Sequence, residues 1–149
     1  MPRASASLSV VTAIGLALTL GCGPSRSFEL APVSGVVTLD GEPLAGGVVS
    51  FQPQSGAGRA PGPGSTGHLD DAGRYTLQTI EGEPGAVVAT HRVRIYSVSS
   101  DQPVASDVDA PDAPRERVPD RYNYRSTLTF EVPAAGAENA DFALTTEQE

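Results

Sequence analysis

Few side chains in this sequence of 149 residues have the type and spacing to do chemistry, and Cys22, the only cysteine, is the first of them. A thiol without a second cysteine forms no internal disulfide. Standing directly after an apolar run over residues 8–20 and Gly21, it can instead carry a lipid. Further along, Arg92 and Arg94 alternate with Val93 and Ile95 and lead to Tyr96. Guanidinium groups beside a phenol suit recognition of carboxylates, so Arg92, Arg94 and Tyr96 are the candidate partner-binding row. Two acidic sets, Asp70 with Asp71 and Asp101 with Asp107, Asp109 and Asp112, offer the oxygen ligands that Ca²⁺ prefers, and Asp107 and Asp109 are the pair to test. Against calcium, Asp70-Asp71-Ala72-Gly73 is what a tight turn asks for, and the second set is scattered over a proline-broken stretch without calcium-loop spacing. No metal site is therefore assigned.

No catalytic set emerges from the remaining residues. There is no Gly-x-Ser-x-Gly elbow, no His-Glu-x-x-His pair and no phosphate-binding glycine loop. Two histidines, His68 and His91, with a single cysteine do not make a zinc site. The chain reads as non-enzymatic, with no catalytic residue and no cofactor beyond a lipid on Cys22. Its ten basic residues, all arginine, face 18 acids for a net charge of -8, which repels phosphate backbones and excludes nucleic acid as a partner.

The N-terminus explains the lipid. Arg3 precedes the apolar run, and a small residue, Gly21, precedes the cysteine. This is the layout of an export signal, too short to cross about 30 Å of hydrocarbon. The stretch Leu20-Gly21-Cys22 resembles the lipobox of bacterial lipoprotein precursors, with Thr19 where a larger aliphatic is usual. The resemblance implies cleavage between Gly21 and Cys22, a diacylglyceryl group on Cys22, and anchoring to the inner or outer membrane of the cell envelope. The domain would then stand in the periplasm or at the cell surface, meeting an envelope protein or polymer.

The elements that must position the arginine row read as strands. Sixteen glycines and 13 prolines leave little room for long helices, and the absence of Trp means a core built mainly of aliphatic residues. Residues 1–21 are the signal, 22–31 a tether and 32–146 one domain. Val33, Val37 and Leu39 share one face of a strand that Asp40-Gly41 ends as a turn, and Val49 and Phe51 point inward from the next, which the pattern makes its hairpin or neighbour. Residues 53–65 form a loop. Residues 66–77 read as strand, tight turn at Gly73, strand, with Tyr75 and Leu77 inward. Residues 86–98 are the longest strand, its His91, Val93 and Ile95 on one face and Arg92, Arg94 and Tyr96 on the other. After a long loop over 99–121, strands with Leu128, Phe130 and Val132 inward and with Phe142 and Leu144 close the domain. About seven short strands predict an all-β sandwich, transthyretin-like or Ig-like.

Several stretches carry a second resemblance. They are Val33-x-Gly35-x-Val37-x-Leu39-Asp-Gly41-x-Pro43-Leu44-x-Gly46, Val49-x-Phe51, Asp70-x-x-Gly73-x-Tyr75-x-Leu77, Val118-Pro119-x-x-Tyr122 and Asp141-Phe142-x-Leu144. In these the chain is similar to the carboxypeptidase regulatory-like domain, a transthyretin-type sandwich. The resemblance implies that fold and a binding, spacing or assembly role. It also implies a core-facing or rim position for His91, where the family often has an aromatic. Two alternatives follow from the same residues: a small-ligand or calcium-binding lipoprotein, and a hydrolase on the transthyretin fold. The second draws on His68, His91, Arg92 and Tyr124-Arg125-Ser126-Thr127, a partial echo of 5-hydroxyisourate hydrolases that lacks their glycine and their C-terminal placement.

Overall fold

The computed structural model describes residues 27–55, 61–98 and 115–147. Within them the chain is an all-β sandwich of eleven short strands and one 3₁₀ turn. The strands are β1 (Leu30–Ala31), β2 (Ser34–Leu39), β3 (Glu42–Pro43), β4 (Val48–Pro53), β5 (Ser65–His68), β6 (Arg74–Thr76), β7 (Gln78–Thr79), β8 (Ala86–Val87), β9 (Thr90–Tyr96), β10 (Thr129–Glu131) and β11 (Phe142–Leu144). The larger sheet has the order β10-β9-β4-β5-β7. The smaller is built on β2, which pairs with β11 in parallel and with β3 and β6 antiparallel, while β1 and β8 form a separate pair.

Period-two patterning sets the inner faces. Val33 and Val37 from the smaller sheet meet Val49, Phe51, Val93 and Ile95 from the larger, all essentially fully buried. Phe51 lies at the centre. Its ring centroid is 5.6 Å from His91, 5.7 Å from Phe130, 6.2 Å from Phe142 and 6.4 Å from Tyr75, so one side chain touches strands of both sheets. Burying a side chain of this size contributes about 1.5–3 kcal/mol by transfer alone.

The turns follow from their residues. Asp40 and Gly41 both have positive φ, 53° and 87°, as a two-residue type I′ hairpin requires between paired Leu39 and Glu42. At the next tight turn the Asp70 carboxylate accepts from the Ala72 and Arg74 amides at 2.9 and 2.8 Å, which spends it on the loop itself. Gly35 matters for a different reason. It stands opposite Tyr75, whose hydroxyl donates to the Ala140 carbonyl at 2.6 Å, and a Cβ on Gly35 would lie 2.2 Å from that carbonyl oxygen. A bare backbone there lets β6, β2 and the approach to β11 close on one another.

The structure departs from the sequence reading in its pairings. The stretches 33–39 and 47–52 are not neighbours: β2 and β4 lie in different sheets. After the β2–β3 hairpin, Leu44 turns into the core and Gly46, with φ 74°, redirects the chain to the larger sheet. Likewise β5 and β6 flank a tight turn yet belong to different sheets, because β5 is held by β4 and β7 while β6 closes on β2. The expected long strand over 86–98 is two: β8 pairs with β1, and β9 pairs with β4 and β10. Leu30 and Ala31, read as the end of a tether, form β1, with Ala31 in the core. The cleavage pair Gly21 and Cys22, and Asp107 and Asp109, lie outside the described residues.

Candidate functional site

Strand β9 alternates buried and solvent-facing positions along its seven residues, so it faces two environments. Its register against β4 sets Tyr96 opposite Val48, Arg94 opposite Ser50 and Arg92 opposite Gln52; on the other side Arg92 faces Thr129 of β10. Beyond β4, Ser50 pairs with Thr66 of β5. The outer surface of the larger sheet therefore gathers the predicted row, Arg92, Arg94 and Tyr96, among hydroxyl and amide side chains.

Neither arginine makes an ion pair or a hydrogen bond among the described residues. Glu131, the acid nearest along the strand pairing, stands opposite Thr90, one diagonal from Arg92, and does not engage it. Glu116 is committed elsewhere: its Oε1 accepts from the Ser97 amide at 2.9 Å, the Ser97 hydroxyl at 2.7 Å and the Val118 amide at 2.8 Å. Those bonds tie the end of β9 to the segment that leads into the 3₁₀ turn Asp120–Tyr122. Asn123, buried, donates its Nδ2 to the Val118 carbonyl at 3.0 Å, and the Ser126 hydroxyl donates to the Val93 carbonyl at 2.5 Å.

So anchored, the segment brings Tyr124 edge-to-face onto Tyr96, centroids 5.6 Å apart at 76°. Tyr124 itself is 74% exposed. Partial burial raises the Tyr96 phenol above its ordinary pKa; Arg94 opposes the shift, and Tyr124 and Glu116 add to it. Tyr96 is thus a neutral phenol at physiological pH. Tyr124, Ser50, Gln52 and Thr66 were not among the residues predicted for this surface.

No known protein family, curated protein or solved structure matches this chain.

The other candidates separate. His91 lies inward and fully buried on the strand whose outward positions carry Arg92, while His68 sits on the outer face opposite Val48. The two histidines and Arg92 therefore do not converge, and His91 faces the core. Its Nε2 bonds the Val87 carbonyl at 2.7 Å, and its Nδ1 has no hydrogen bond. Burial holds the ring below its ordinary pKa, an effect the carbonyl of Val87 and the backbone of Phe51 offset only in part. Among the described residues there is no group of three or more His, Cys, Asp or Glu placed to hold a metal. No helix there is long and apolar enough to cross a membrane.

One open cleft of about 500 Å³ runs between the 3₁₀ turn and the C-terminal end, lined by Asp120, Arg121, Tyr122, Arg125, Thr145 and Glu147. Arg121 spends its guanidinium there, donating to the carbonyls of Thr145 and Glu147 and resting 4.7 Å from the centre of the Tyr122 ring. From the other side, the Asp40 carboxylate accepts from the Thr146 amide and hydroxyl, both at 2.8 Å. These bonds hold residues 145–147 against the β2–β3 hairpin and account for the Arg121 guanidinium structurally.

Proposed function

We propose that this chain is a non-enzymatic lipoprotein of the cell envelope. It is cut before Cys22, lipidated there, and held to the inner or outer membrane by the lipid. A transthyretin-type sandwich of the carboxypeptidase regulatory-like kind then presents Arg92, Arg94 and Tyr96 to an envelope protein or polymer. One acyl chain anchors only marginally, whereas two give firm attachment, as a diacylglyceryl cysteine would.

The observation that carries the reading is the pair of guanidinium groups without an ion partner among the described residues, on the outer face of a sheet in a chain of net charge -8. On an acidic protein such a face attracts carboxylates from elsewhere, and complementary charge of this kind sets which partner is chosen.

In-cell crosslinking of the full-length protein tests it, followed by purification from detergent-solubilised envelope and mass spectrometry of the N-terminus and companions. A lipidated Cys22 with a reproducible companion is expected. That companion should be lost in the variant Arg92→Glu with Arg94→Glu; its retention there would remove the surface from the reading. Membrane retention of Cys22→Ala would remove the anchor.

A further inference from the structure

The outer face of the larger sheet has a chemistry more specific than positive charge. Around the arginines stand Gln52, Ser50 and Thr66, whose side chains make no hydrogen bond among the described residues, while the aliphatic side chains of the face are Val48 opposite Tyr96 and, at the far edge, the exposed Ile80, whose amide donates to the Gly64 carbonyl. The face carries more polar than apolar side chains. It offers donors and acceptors in a flat array, with rows about 4.8 Å apart across the strands and about 6.6 Å between successive outward residues along them. At one end is an exposed aromatic ring, Tyr124, set edge-to-face on Tyr96.

Hydroxyls in number, carboxylates at intervals and a ring with one apolar face are the properties of an acidic sugar chain. We propose, building on the reading of this face as the contact surface, that its occupant is an acidic polysaccharide. The carboxylates pair with Arg92 and Arg94, the sugar hydroxyls exchange hydrogen bonds with Gln52, Ser50 and Thr66, and a sugar ring packs on Tyr124. Planar, forked guanidinium groups hold carboxylates through two parallel bonds, which a lysine could not do.

The test is binding of the full-length protein, in detergent, to immobilised polygalacturonate, with neutral dextran and poly-L-glutamate as comparators. Polygalacturonate should be retained, dextran not, and polyglutamate should bind more weakly than the polyuronate. Both Tyr124→Ala and the double variant Arg92→Glu, Arg94→Glu should weaken polyuronate binding by roughly tenfold or more, with thermal melts unchanged. Absence of polyuronate binding overturns the proposal. So does polyglutamate binding as tight as polyuronate binding and indifferent to Tyr124→Ala, which would assign the face to an acidic protein segment. A crosslinked companion that disappears on charge reversal while polygalacturonate fails to bind would leave the contact surface standing and remove only the sugar.

Discussion

The two faces of β9 differ by one residue in sequence and by almost everything in chemistry. Inward, His91, Val93 and Ile95 are fully buried and packed against Phe51 and the smaller sheet; outward, Arg92, Arg94 and Tyr96 stand among polar side chains, and the arginines have no ion pair among the described residues. The inner side is where this fold gains its stability, because apolar area is removed from water there and each ring meets several others. The outer side contributes little to holding the sandwich together, so its residues are free to be chosen for what they bind. The comparison makes a sharp claim: substitutions inward should act on folding, and substitutions outward on binding alone.

The largest inward effect belongs to Phe51. Truncation to Ala removes the ring that touches His91, Phe130, Phe142 and Tyr75 and leaves a cavity that two sheets cannot both collapse into. Phe51→Ala should cost about 3–5 kcal/mol in urea unfolding, a large part of the stability of a domain this size. A loss under 1 kcal/mol would mean that the two inner faces are not packed as a single core.

Next comes Gly35→Ala. The added methyl would press on the backbone carbonyl of Ala140, where neither a rotamer change nor a flexible chain end gives relief, and would crowd the Tyr75 hydroxyl that bonds the same oxygen. A destabilisation of about 1–3 kcal/mol is expected. The Tyr75 phenol, which burial pushes well above its ordinary pKa with Asp141 adding to the shift, should begin to titrate nearer to a free tyrosine in this variant. Ultraviolet absorbance against pH reads that change.

The inner face also has one polar member, and its effect depends on pH. The residues paired with or packed on His91, namely Pro53, Phe51, Phe130 and Val87, carry no charge, and its Nδ1 would bring a buried, unpartnered N–H if protonated. The folded-state pKa lies below the ordinary 6.5 that the unfolded chain keeps. Stability is therefore complete above that unfolded value, falls as pH drops beneath it because the unfolded chain takes up the proton more readily, and levels off below the folded pKa. The melting temperature should drop more between pH 7 and pH 5 for the natural chain than for His91→Phe. Parallel curves for the two would place charge or water beside the ring.

Much of this was legible from the sequence because alternation reports which way a side chain points. Val37, Val49, Phe51, Tyr75 and Leu77 were assigned inward and are buried; Arg92, Arg94 and Tyr96 were assigned outward and face out. Asp40-Gly41 and Gly73 announced their turns through residues that tolerate positive φ. Alternation is silent on pairing, however. A strand that follows a turn can return beside its predecessor or cross to the opposite sheet with the same pattern, and β2 to β4 and β5 to β6 both cross. The two-residue strands β1, β3, β7 and β8 are too short for any period to show. Tyr124 escaped for a related reason: it belongs to no strand, and its segment is tied to β9 through Glu116 and Ser126, whose hydrogen bonds to distant backbone have no local signature. The signal that could have pointed to it was Tyr122-Asn123-Tyr124 itself, two aromatics around a residue suited to turns.

The smallest expected effect is the most discriminating. Among the described residues Arg92 and Arg94 form no ion pair whose loss would register in stability, and exposed charges contribute little to folding even when paired. Arg92→Ala and Arg94→Ala, alone or together, should therefore move the unfolding free energy by no more than about 0.5 kcal/mol, the usual range for surface positions. Arginine stems can lie along a sheet surface, here beside Ser50, Gln52 and Thr129 in the strand register, so truncation tests packing as well as charge. Arg→Gln at both positions keeps most of that stem and removes only the cation. If Ala and Gln variants are both neutral for stability, the outer face is free of structural duty and the contrast between the two sides of β9 holds. If Ala destabilises and Gln does not, the arginines serve the sheet through their aliphatic stems, and the division of labour along this strand is less complete than its alternation suggests.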